Sequence, residues 1–80
     1  MANQHPDGPW RFVASYKNQK RVQSLLVGPL CDDWGDAYDG LCDAMHELRD
    51  AYGLLPPMEF CFVGSIDATG DAIDAFAAGL

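Results

Sequence analysis

The sequence is short of the parts that most activities need. No apolar run approaches the ~20 residues required to cross a bilayer, and the stretch Met1-Ala2-Asn3-Gln4-His5-Pro6-Asp7 lacks the basic-then-apolar layout of a secretory signal. These absences predict a cytoplasmic protein with no membrane partner. Three cysteines occur, Cys31, Cys42 and Cys61, an odd number with no Cys-x-x-Cys spacing. Neither a disulfide framework nor a zinc site is expected from them, and reduced thiols in or near the core are. Of the two histidines, His5 is expected in the tail and His46 on a helix flank, so a histidine-based metal site or triad lacks parts. Ser15, Ser24 and Ser65 stand in no Gly-x-Ser-x-Gly setting, and no glycine-rich phosphate loop opens a helix. The order Asp67-Ala68-Thr69-Gly70-Asp71 departs from the Asp-x-Asp-x-Asp-Gly start of a calcium loop. The expectation is a protein with no catalytic residue, no metal and no cofactor, hence not an enzyme.

Cations are scarce as well, and unevenly placed. Residues 1–21 hold Arg11, Lys17, Lys20 and Arg21 against Asp7, a balance of +3, while residues 22–80 hold eleven acids against Arg49 alone, a balance of −10; together they make the net −7. Such a field repels nucleic acid and anionic membranes and attracts basic surfaces, so no direct nucleic-acid contact is expected through the main body. The basic segment carries Trp10 and Tyr16, which could stack on a nucleobase but read more simply as core residues of a strand.

What is present fits one small domain spanning residues 1–80, with 1–8 expected to form a mobile tail. A chain of 80 residues buries only about 60% of the surface that its unfolded form exposes, so stability should be marginal unless a partner or second copy adds to it. Trp10 to Tyr16 alternates between the two faces of a half-buried strand, Lys17 to Lys20 is a polar break, and Arg21 to Val27 resumes as a second strand, so the pair reads as an antiparallel hairpin. Gly28 and Pro29 end it. Met58 to Val63, a short apolar run after Pro56 and Pro57, reads as a third strand, buried more deeply than the first. A weak alanine-rich helix follows around Ala68 to Ala78, with Asp67, Asp71 and Asp74 on a solvated face.

Between the second and third strands lies the strongest local pattern. Asp33 is placed to cap a helix, with Asp36 three residues on as an acidic capping-box partner, and Gly53 closes it. Trp34, Tyr38, Leu41, Met45, Leu48 and Tyr52 recur at intervals of three and four, which predicts one core-facing stripe at ~100° per residue. Asp36, Asp39, Asp43, Glu47 and Asp50 keep the same rhythm on the opposite side and form an acidic ridge ~21 Å long at ~1.5 Å per residue. The fold class expected is α+β: a small three-stranded antiparallel-type sheet in β-β-α-β-α order, covered by one long amphipathic helix.

The ridge is the candidate site because it opposes folding. Its four successive like-charge pairs should each cost about 0.2 to 0.5 kcal/mol, and Arg49, the helix's single cation, has no acid three or four residues away. The partner-binding residues read from this are Asp36, Asp39, Asp43, Glu47 and Asp50, with Asp32 and Asp33 just ahead of them; the plain alternative is a coat that keeps a small protein soluble. In size, charge and architecture the whole chain resembles the small acidic phage-encoded inhibitors of host defence known as anti-CRISPR proteins. The resemblance brings no motif and so assigns no residue a role. What it implies is an inhibitor acting in the host cytoplasm, as a monomer or homodimer. It would dock on the Lys/Arg-rich nucleic-acid-binding surface of a CRISPR effector complex, Cascade-like and multisubunit, and block target DNA binding as an approximate DNA mimic. The alternatives are a homo-oligomeric structural or assembly module, and an adaptor or antitoxin-like protein that neutralises a basic enzyme.

Overall fold

The computed structural model describes residues 8–79, so the tail expected over residues 1–8 falls almost wholly outside the described residues. Strands β1 (Trp10–Lys17) and β2 (Gln23–Val27), helix α1 (Trp34–Tyr52), strand β3 (Met58–Ser65) and helix α2 (Ile66–Ala78) follow one another in the expected order. The strands form one antiparallel sheet with β1 at its centre, in the order β2-β1-β3.

That order corrects the reading of β3. A strand with a neighbour on each side is shielded along its whole width, and Phe12, Val13, Ala14 and Ser15 of β1 are all buried. β3 has a neighbour on one side, and only Gly64 within it is buried. The short apolar run, interrupted by Glu59, therefore marks the end strand here, and the alternating run marks the middle. β2 is shorter than expected at its start, because the Asn18 side chain organises the turn. Its Oδ1 accepts from the Lys20 and Val22 amides at 2.9 and 3.0 Å, and Arg21 takes the left-handed conformation at φ 63°. Arg21 and Val22 thereby belong to the loop.

Successive β1 side chains point to opposite faces of the sheet, and each face carries a helix. On the first, the Phe12 ring lies between Gly28 and Gly40: a Cβ on Gly28 would overlap it, and one on Gly40 would stand 3.4 Å away. Tyr16 meets Tyr52 of α1 edge to face at 6.4 Å on the same side. On the second face, Arg11 Nε donates to Thr69 Oγ1 of α2 at 2.7 Å, and a Cβ on Gly64 would stand 3.4 Å from that of Ala68. Further along this face the Ser15 hydroxyl accepts from Gln23 Nε2 at 2.6 Å and donates to the Glu59 carboxylate at 3.4 Å, tying the three strands together.

The expectation of one dominant helix over one face is thus incomplete. α2 begins at Ile66, two residues before the alanine-rich stretch suggested, because Ser65 ends β3 and caps α2 at once, its Oγ accepting from the Ala68 amide at 3.1 Å. Thr69 is fully buried, and its hydroxyl donates back to the Ser65 carbonyl at 2.6 Å.

Candidate functional site

α1 has the expected span and ends, as read, on Gly53 at φ 82°, a left-handed position that glycine occupies without strain. It starts differently. Asp33 is in the extended N-cap conformation, but its side chain makes no capping hydrogen bond, so no capping box forms with Asp36.

The helix is also rotated from the expected stripe. Ala37 and Leu41 are its buried residues, with Gly40, Ala44 and Leu48 half-buried beside them. Trp34 and Tyr38, expected in the core, are 43% and 46% exposed and stack on each other at 5.1 Å with planes 11° apart. At ~100° per residue the buried line is turned by about 50° from the centre of the aromatic stripe. Close approach explains it: Ala37, Gly40 and Ala44, spaced three and four apart, form a low surface that seats on Phe12, whereas Trp34 would hold the helix away. That run of small residues is the sequence signal that could have found the buried face.

The rotation gives α1 two unlike flanks. Along one run the acids. Asp36, Asp39, Asp43, Glu47 and Asp50 are all exposed, as are Asp32 and Asp33 in the segment before the helix, and none has an ion-pair partner among the described residues. Asp43 and Glu47 also form the rim of a groove of 430 Å³ whose floor is Phe12, Tyr16 and Leu26. The other flank faces β3 across a larger groove of 630 Å³. Trp34, Tyr38, Cys42 and Met45 make its helix wall, and Arg49 and His46 lie on the same wall. Its far side is Cys61, Phe62 and Val63, with Leu55 also in the lining. The Tyr38 phenol is held above its usual pKa of 10.0, chiefly by its interaction with the Cys42 side chain one turn on, so it is neutral at physiological pH.

The cysteines correct a further expectation. All three are free, but Cys61 is exposed and Cys31 and Cys42 are half-buried, because β3 is an end strand and α1 leaves its outer half uncovered. The basic residues do not converge. Arg11 is engaged with Thr69, Lys17, Lys20 and Arg21 are exposed in and beside the hairpin turn, and Tyr16, half-buried and not in the core, packs against Tyr52. Among the described residues no group of three or more His, Cys, Asp or Glu side chains is arranged to hold a metal, and no helix is long and apolar enough to cross a membrane.

Comparison with known proteins adds no relative: no family model, no curated protein and no solved structure matches the chain.

Proposed function

We propose that this protein is a non-enzymatic acidic binding protein whose ridge docks on a Lys/Arg-rich protein surface. One observation carries the reading. Seven carboxylates line one side of α1 and its approach, all exposed and none neutralised from within the described residues, so attraction to an external cation surface is the term left to offset their mutual repulsion. In the finer form of the proposal the surface is one that otherwise holds nucleic acid, as in a CRISPR effector complex, and the protein works in the cytoplasm by denying target DNA its phosphate contacts. An adaptor or antitoxin-like protein that neutralises a basic enzyme uses the same chemistry, and the partner's identity separates the two. The rival in which a second copy hides the free sheet face loses that ground, because α2 lies over that face at β1 and β3.

The test joins salt with charge removal. A purified effector complex binding labelled target DNA is titrated with the parent and with the combined variant Asp39→Asn, Asp43→Asn, Glu47→Gln. The parent should displace DNA, less well as salt rises from about 50 to 500 mM, and the variant should need orders of magnitude more protein. Equal potency of parent and variant would overturn the ridge as the docking surface. Failure of the parent on that complex, with salt-sensitive binding to another basic protein, would remove the CRISPR form alone.

A further inference from the structure

The groove between α1 and β3 differs in kind from the ridge, and three observations together point to what fills it. The first is charge. In a chain of net charge −7, this groove has no carboxylate in its lining and has Arg49 and His46 on its wall. Arg49 is the only cation of α1 and is permanently charged. The second is the strand beside it. β3 ends the sheet, and Cys61, Phe62 and Val63 line the groove in succession although alternate side chains point to opposite faces. The Phe62 ring lies by Gly64 and Phe60, 3.1 Å from where a Cβ on Gly64 would be and 6.0 Å from the Phe60 ring. What Phe62 gives the groove is therefore main chain at the sheet edge. The third is length. Trp34 to Arg49 spans ~22 Å at ~1.5 Å per residue, which matches six or seven residues of extended chain at ~3.3 Å each.

We propose that this groove binds an extended peptide segment of a partner protein, which adds to β3 as a fourth strand, sets alternate apolar side chains against Trp34, Tyr38 and Met45, and places a carboxylate beside Arg49. Main-chain pairing at a free edge supplies affinity that is indifferent to sequence, and the pockets for alternate side chains supply choice. A compact small molecule would leave the edge amides and carbonyls of β3 unused. Arg49 fixes the direction of the strand, since its guanidinium engages a carboxylate in a two-pronged geometry. The proposal is independent of the ridge reading, because the acids lie on the other flank of α1.

The experiment pans a displayed library of random twelve-residue peptides over the immobilised full chain and measures binding of the recovered sequences by calorimetry. Recovered peptides should alternate apolar and polar residues and carry an acid. Replacing that acid by its amide should weaken binding at least about tenfold to the parent and leave binding to Arg49→Gln unchanged. N-methylation of alternate amides in one register should weaken it by a similar factor, as loss of edge hydrogen bonds requires. Cys61→Asp, a change at an exposed position, should abolish binding. The ridge variant should bind these peptides as the parent does, which keeps this test apart from that of the ridge. Recovery of no such peptides, or of peptides indifferent to Arg49→Gln and to N-methylation, would overturn the proposal. So would dodecanoate binding in the groove with no peptide competing, which would make the occupant a small amphiphile. Sedimentation as a dimer that Cys61→Asp dissociates would assign the groove to a second copy of this chain, and would overturn it too.

Discussion

α1 and α2 are both helices with aspartates at intervals of three and four, and they are held to the sheet by different means. α1 is 19 residues long and buries two of them, through a low line of small side chains seated on one phenylalanine ring. α2 is 13 residues long, buries Thr69, and is fixed at its first turn by a serine cap and by the Arg11–Thr69 hydrogen bond. The difference teaches that amphipathic strength in a sequence and anchorage in a structure are separate quantities. α1 shows the louder pattern because its large apolar residues are spent on flanks, where they remain available to other molecules. α2 shows a weak pattern because alanine and glycine pack closely while adding little to any apolar rhythm.

The comparison breaks most severely at the seat of α1. Phe12→Ala should cost about 3 to 5 kcal/mol, the range for a buried aromatic lost from a core, and Gly28→Ala about 1 to 3 kcal/mol or more by forcing a methyl into the same ring; urea denaturation measures both. Next is the tie of α2. Thr69→Val keeps the shape but strips Arg11 of its acceptor, and should cost about 1 to 3 kcal/mol by the same measurement. The helix starts give a sharper contrast. Ser65→Ala should cost ~1 kcal/mol for a lost capping bond, whereas Asp33→Ala should cost no more than about 0.5 kcal/mol, the interaction of one exposed carboxylate with a helix start. Equal losses at the two caps would show that the Asp33 side chain caps in solution. Opposite in sign is the ridge: Asp39→Asn, Asp43→Asn and Glu47→Gln together should leave the free protein unchanged or more stable by up to about 2 kcal/mol before screening, since they remove all four like-charge pairs and break no ion pair.

Much of the fold was legible because its signals are local. Alternation from Trp10 to Tyr16, the rhythm from Trp34 to Tyr52 and the Gly53 stop each depend on neighbours in sequence, and the element order follows from them. What was illegible depends on partners distant in sequence. Nothing near Met58 to Val63 tells that β1 will pair on both its edges and leave β3 at the end of the sheet. Nothing near Trp34 tells that Gly28 will hold Phe12 where Gly40 can rest on it. The exposure of the ridge acids needed only the helix period, so the acidic flank was readable. The groove needed both the rotation of α1 and the edge position of β3, so it was not.

The central position of β1 also bears on how the molecule is made. Its hairpin partner β2 emerges almost at once, but 40 residues separate Lys17 from Met58, so on a ribosome adding about 5 to 20 residues per second β1 waits some two to eight seconds for its second neighbour. During that interval the nascent hairpin offers one open side, the side later taken by β3, to any other strand within reach. Crowded polysomes are where such a chain would be most exposed to mispairing, and a chaperone that shields the hairpin until β3 arrives would raise the yield of native protein without changing its final stability.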